Sequence, residues 1–167
     1  MRLYSIHKNI YINNIRVSNE IIRISYKFRP ATIADSENLL KWRNSIQIRS
    51  ISKSKSYIDE DSHKSWLTKS IEDPNCILLI IENFEEAVGV VRFDCNGDKA
   101  TISIYRVPES TYSRGLVKQS TQWLKENRNE IEEIIACILP TNTSSISAFN
   151  SAGYRQSTNY PYNPLEE

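Results

Sequence analysis

Apolar and polar positions change period several times along the chain, and each change marks an element. Ile22–Arg29 (IRISYKFR) alternates apolar and polar side chains, the pattern of a half-buried strand, and Pro30 closes it. Thr32-Ile33-Ala34-Asp35 opens a helix: Thr32 caps the first turn and Asp35, three residues on, answers its backbone N–H. Leu39, Leu40 and Arg43 share a face of this helix, which is predicted to fade near Asn44. The Ser- and Lys-rich stretch RSISKSKS, residues 49–56, reads as a mobile linker. Asp59–Ile71 sets His63, Trp66, Leu67 and Ile71 on one helical stripe, and Asp73-Pro74 ends it.

The period then shortens. Cys76–Glu82 (CILLIIE) is a continuous apolar run, as in a strand covered on both faces. Ala87–Cys95 and Ala100–Arg106 flank Asn96-Gly97, the strongest hairpin signal in the chain, and Pro108 closes the second arm. Helix resumes over Leu116–Asn127 on Leu116, Trp123 and Leu124. Glu133–Leu139 is another apolar strand, stopped by Pro140. Asn142–Ala152 reads as a short helix with Gly153 at its left-handed end, and Tyr154–Tyr162 as an edge strand carrying Pro161. The order β-α-α-β-β-β-α-β-α-β predicts one α/β (α+β) domain with a mixed central sheet of about six to seven strands and about four flanking helices. The domain spans residues 23–167; residues 1–22 form an extension whose pattern fits a strand, a short helix or a loose arm equally.

Composition narrows the class. Lys and Arg number 21 against 20 Asp and Glu, so no broad nucleic-acid surface is expected. Cys76, Cys95 and Cys137 lack metal-ligand spacing; Cys76 and Cys137 sit in apolar runs and read as buried, reduced thiols of a cytoplasmic protein. No metal site is expected. No apolar run is long enough to cross a membrane, and the first 17 residues lack the pattern of a signal peptide. Among the polar stretches, STYSRGLVKQST (residues 110–121) places one glycine just ahead of a helix. A helix N-terminus offers unpaired N–H groups and partial positive charge to a diphosphate. The same pattern also serves as a plain surface turn.

Four stretches decide the matter by resemblance. FRPATIADSENLLKWRN (28–44), AVGVVRFDCNGDKATISIY (87–105), the loop just quoted and ACILPTNTSSISAFNSAGY (136–154) together resemble the GCN5-related N-acetyltransferases, in particular the branch acting on ribosomal proteins, polyamines and amino-sugars. The similarity covers residues 23–155, and its most specific spacing is Asn142, Ser145, Phe149 and Gly153-Tyr154. The resemblance implies transfer of an acetyl group from acetyl-coenzyme A to an amine. Tyr112, Ser113, Arg114, Gly115, Leu116, Val117 and Lys118 would then hold the diphosphate, with Asn142, Ser145 and Phe149 on the coenzyme side of the last helix. Ile104, Tyr105, Arg106 and Val107 would lie on a strand splayed from residues 135–139, offering backbone groups to the pantetheine arm and the thioester carbonyl.

The chain departs from the family at three positions. Tyr112 replaces a Gln or Arg, Val117 puts a branched side chain where a small residue is usual, and Phe149 stands where many members carry a proton-donating Tyr. Tyr154, Ser145 or water could supply that proton instead, or the thiolate could leave unassisted. For the base, His63 and Asp94 compete with ordered water. Each also has a plain structural reading, His63 as a helix histidine covering Trp66 and Asp94 as the partner of Arg92. Trp42, Arg43 and Asn44 are the acceptor-binding candidates, Arg43 equally a helix-end cation. The basic residues Arg49, Lys53 and Lys55 lie beside the expected mouth, as phosphate contacts or as a solvated loop, and Trp66 and Trp123 read as core.

The expectation is thus a cytoplasmic N-acetyltransferase, a monomer or homodimer, using acetyl-coenzyme A as co-substrate and a primary amine as acceptor. The WRN segment and VVRFD look most like members that acetylate nucleotide-linked amino-sugars. A protein N-terminal or ribosomal-protein acetyltransferase and a non-catalytic acyl-coenzyme-binding module are the alternatives.

Overall fold

A computed structural model describes residues 1–7, 25–111 and 114–157. In chain order the elements are β1 (Arg2–His7), β2 (Lys27–Pro30), a 3-10 turn (Ile33–Asp35), α1 (Ser36–Asn44), α2 (Ile46–Ile51), α3 (Glu60–Glu72), β3 (Cys76–Asn83), β4 (Glu86–Asn96), β5 (Lys99–Arg106), α4 (Leu116–Asn127), β6 (Glu133–Ile138), α5 (Thr143–Ser151) and β7 (Arg155–Gln156). The seven strands form one sheet in the order β2-β3-β4-β5-β6-β1-β7. Every pair is antiparallel except β5–β6, which the α4 crossover makes parallel. The mixed α/β sheet matches the sequence-based expectation.

Side-chain alternation divides the core between the two faces of the sheet. Leu79, Ile81, Val91, Phe93, Ile102 and Ala136 pack under Leu124 of α4 and Phe149 of α5. The opposite-facing Leu78, Ile80 and Val90 pack under Leu39 of α1 and Leu67 of α3. The Asn96-Gly97 turn behaves as its dipeptide predicts, with Gly97 at φ 60°.

Arg29 fastens α1 to the sheet. Its Nε donates to Glu82 Oε1 at 2.6 Å, while its two terminal nitrogens donate to the Asp35 carboxylate at 2.9 and 2.8 Å. Asp35 in turn accepts from the Thr32 N–H at 2.8 Å, the reciprocal half of a capping box. The Arg29 hydrogen bonds hold the Asp35 carboxyl below the ordinary carboxylate range.

One element left open takes shape, and three expectations need correction. Residues 2–7 are a strand: Tyr4 and Ile6 alternate into the core at 2 % exposure, and β1 pairs with β6 from Arg2↔Ile138 to His7↔Glu133. The region read as a linker begins as helix α2, capped where the Ser45 side chain accepts from the Ile48 N–H. Pro30 ends β2 from within, which an edge strand tolerates because no inner ladder needs its N–H. Among the described residues the last strand is Arg155–Gln156, starting after Tyr154; positions 158–162 of that predicted strand lie outside the described residues, as does the predicted start at 22–24.

Ile6 also touches the turn after α5, its Cδ1 lying 3.3 Å from where a Cβ on Gly153 would sit. Ile6→Ala therefore removes a buried anchor of β1, and about 2–5 kcal/mol of stability should be lost. A urea midpoint unchanged from wild type would show that β1 is not part of the folded core.

Candidate active site

The site starts as an interruption in hydrogen bonding. β5 and β6 pair over only four positions, Lys99↔Glu133 to Ile102↔Ala136, although β5 continues to Arg106 and β6 to Ile138. The outer edges of both strands stay occupied: β4 pairs with β5 up to Arg106, and β1 pairs with β6 through Ile138. The two strands part beyond Ile102 and Ala136 while each is held from behind.

A cavity of about 740 Å³ occupies this fork. Because strand side chains alternate, its wall carries residues from both faces of the sheet. Ile102, Ile104 and Ala136 come from the α4/α5 side, and Ser103, Tyr105 and Cys137 from the α1/α3 side. The start of α5 closes one end. There Asn142 caps the helix, its Oδ1 accepting from the Ser145 N–H at 3.1 Å, which explains the three-residue spacing of these two positions. Both line the cavity, as does Phe149.

On the α1/α3 side, α3 delivers His63 to the cavity wall. Its side chain is 2 % exposed and its Nε2 is buried without a hydrogen-bond partner. Burial lowers its pKa below the ordinary 6.5, opposed by a hydrogen bond with the Ser36 backbone. The ring lies 5.5 Å from that of Trp66, and the Arg92 guanidinium sits 5.7 Å over the Trp66 ring. Trp66, expected in the core, is 37 % exposed and lines the cavity.

Asp94 accepts from Arg92 Nε at 2.8 Å and Nη2 at 2.6 Å and is not part of the cavity wall. It acts as the counter-ion of Arg92. Arg43 lines the cavity from the end of α1; its Nη2 donates to the Ser54 carbonyl at 3.2 Å and its Nη1 is buried with no partner. Burial raises the Tyr105 phenol well above its usual range, with the nearby Arg43 charge pulling the other way. Asn44 clasps the chain between α2 and α3, donating to the Ile58 carbonyl at 2.8 Å and accepting from the Ile58 N–H at 2.9 Å. Trp42 and Asn44 face a separate hollow with Leu40 and Tyr57. Of the three predicted acceptor contacts, only Arg43 reaches the main cavity.

The glycine loop lies at the start of α4. Gly115 is the N-cap, in the left-handed region at φ 77°, and the first helical bond runs from the Gln119 N–H to the Gly115 carbonyl. The N–H groups of Leu116, Val117 and Lys118 therefore precede the ladder. Val117 does not crowd them, because its side chain is buried in the core. Arg114 and Lys118 are exposed beside them, while Tyr112 and Ser113 lie outside the described residues. Tyr26 ties the loop down: its hydroxyl donates to the Arg114 carbonyl at 2.9 Å and its N–H donates to Gln119 Oε1 at 3.1 Å. No local pattern marks Tyr26, whose partner is 88 residues away.

Three further candidates stand away from the cavity. Tyr154 is completely buried, its hydroxyl hydrogen-bonded with Thr121 Oγ1 at 2.9 Å and its ring edge-on to Phe149; burial raises its phenol far above the usual range. Val107 gives its N–H to Val88 at 3.0 Å, and Arg106 donates to the Ser110 carbonyl at 3.0 Å, so of residues 104–107 only Ile104 and Tyr105 line the cavity. Cys137, expected to be buried, is an exposed free thiol lining the fork, on the face of β6 opposite Ala136 and Ile138. Cys76 and Cys95 are buried and free. Among the described residues no cluster of His, Cys, Asp and Glu could hold a metal, and no helix is long and apolar enough to cross a membrane.

The family model for acetyltransferase (GNAT) domains matches residues 26–155. Similar solved structures include aminoglycoside acetyltransferase AAC(6')-Ib in complex with coenzyme A and kanamycin, with 17 % identity, 80 % of this chain and 86 % of that chain covered, and a TM-score of 0.67. Spermidine N-acetyltransferase from Vibrio cholerae, in complex with CoA and spermine, shares 16 % identity over 79 % of this chain and 82 % of its own, with a TM-score of 0.71. An acetyltransferase from Thermus thermophilus shares 18 % identity over 78 % and 87 % of the two chains, with a TM-score of 0.66. No curated protein sequence matches the chain.

Among the described residues a Cβ at Gly115 would meet only Gln119 Nε2 at 3.7 Å, an ordinary contact, so what opposes a side chain there is the backbone angle. Gly115→Val should cost about 1–2 kcal/mol and Gly115→Asn clearly less, because Asn visits the left-handed region more readily. Equal urea midpoints for Asn and Val would contradict the left-handed cap.

Proposed function

The chain belongs to the acetyltransferase (GNAT) domain family, and on that premise we propose that it transfers an acetyl group from acetyl-coenzyme A to the primary amine of a small molecule. In its narrowest form the acceptor is a nucleotide-linked amino-sugar. One observation carries the reading: the β5–β6 ladder stops at Ile102↔Ala136 and opens into a cavity that also holds an unpartnered imidazole nitrogen. The solved neighbours that contain CoA or coenzyme A together with spermine or kanamycin agree with an amine acceptor.

The residues present fit the coenzyme. Three orphan N–H groups at the positive end of α4, flanked by Arg114 and Lys118, suit a diphosphate, and Gly115 presents no Cβ to it. When bound, acetyl-coenzyme A supplies the activated thioester. Successive N–H groups of β5 point in turn to β4 and to the fork, so the open edge around Ile104 and Tyr105 offers one backbone N–H to the carbonyl oxygen, a role independent of side-chain identity. Holding the amine beside the thioester removes the entropic cost of their encounter. A C–N bond forms and the C–S bond breaks. His63, kept neutral by burial, takes the amine proton on Nε2, and the departing thiolate needs one proton. Phe149 has none to give and Tyr154 is engaged with Thr121, which leaves Ser145 on the cavity wall, or water, as the donor.

The test is release of free thiol from acetyl-coenzyme A over a panel of amines. His63→Gln should lower kcat by about 10²–10⁴ while leaving coenzyme affinity unchanged. A loss of less than about tenfold returns His63 to the scaffold. The wild-type rate should hold on acidification until below the ordinary histidine value of 6.5, because His63 must be neutral and its folded pKa is lowered. That limb should vanish in His63→Gln. Coenzyme binding without thiol release on any amine would favour a non-catalytic module.

A further inference from the structure

Resting on that reading, we infer that the acceptor carries an anionic group, a phosphate or a carboxylate, gripped by Arg43 with Lys53 beside it, and that polycationic amines are rejected. The wall of the cavity contains Arg43, Lys53 and Arg92 but, among the described residues that line it, no Asp or Glu. Arg92 is compensated by Asp94 and covered by Trp66. Neither Arg43 nor Lys53 forms an ion pair with a described carboxylate.

Arg43 is the sharper observation. One terminal nitrogen donates to the Ser54 carbonyl, which fixes the guanidinium in place; the other, Nη1, is shielded from water and has no partner among the described residues. A buried guanidinium donor without an acceptor is costly, and its planar fork matches the oxygens of a phosphate or carboxylate. The neighbouring buried His63 Nε2 is also unpartnered, so the same pocket offers a nitrogen to the amine and a cation to the remainder of the acceptor. A molecule with several ammonium groups would meet two uncompensated cations and, among the described lining residues, no carboxylate to receive it. The cavity wall thus selects by charge.

Titration calorimetry in the presence of saturating coenzyme A tests this with matched probes: glucosamine 6-phosphate against glucosamine, glycine against glycinamide, and spermidine as the polycation. At least one anionic member should bind about tenfold or more tightly than its neutral partner, and spermidine weakest of all. The first pair isolates phosphate and the second carboxylate. Arg43→Gln should erase the preference, and so should Lys53→Gln, whose exposed side chain can be replaced without affecting folding. Equal affinities within both pairs, tighter binding of spermidine, or a preference that survives both variants would overturn the inference. Thiol release with the same probes separates it from acetyl transfer itself. Turnover of spermidine alone would sink the charge selection and keep the transferase. A charge preference in binding with no thiol release from any amine would do the reverse.

Discussion

Backbone amides and carbonyls must be paired or solvated, and the β5–β6 ladder leaves several unpaired in the middle of a sheet. Four residue pairs hold the two strands together, after which each runs on alone. Such an opening would ordinarily close by hydrogen bonding. Here β4 fixes the far edge of β5 and β1 fixes the far edge of β6, so neither strand can swing across without breaking a complete antiparallel pairing. The unpaired edge is maintained by its neighbours, and the cavity follows from it.

The same fork joins two chemistries that the sheet otherwise separates. The α4/α5 face bears the left-handed Gly115 cap and the orphan amides of α4, fastened by Tyr26, while the α1/α3 face bears His63, Arg43 and the Arg92–Asp94 pair. A solid sheet would keep a coenzyme on the first face from an amine on the second. Residues from both faces line one cavity only because the strands part.

The elements encoded by local pattern were legible in the sequence: the Asn-Gly hairpin, the Thr32/Asp35 start of α1, the Asp59-capped α3 and the Asn142-capped α5. Their signals lie within four or five residues of the structure they specify. What escaped depended on distant partners. β1 is specified only by the groove between β6 and β7, and Tyr26 finds its acceptor 88 residues away. The exposure of Trp66 and Cys137 follows from the cavity they line, which periodicity does not report; a helical stripe looks the same whether it meets core or cavity. Val117, counted as a departure, has its side chain in the core, because helix geometry turns it inward. Phe149 remains a real departure, since it lines the cavity and has no proton to offer.

Amide hydrogen–deuterium exchange, read residue by residue with and without coenzyme A, addresses the central claim directly. If the fork and the α4 terminus together receive the coenzyme, two groups of amides exchange quickly in the free protein and become protected on binding. They are those of residues 116–118 and those within 103–105 that point away from β4. The amides of the closed Lys99–Ile102 ladder stay slow throughout. Slow exchange of every amide in 103–105 in the free protein, or no protection at either segment when coenzyme A is bound, would contradict it.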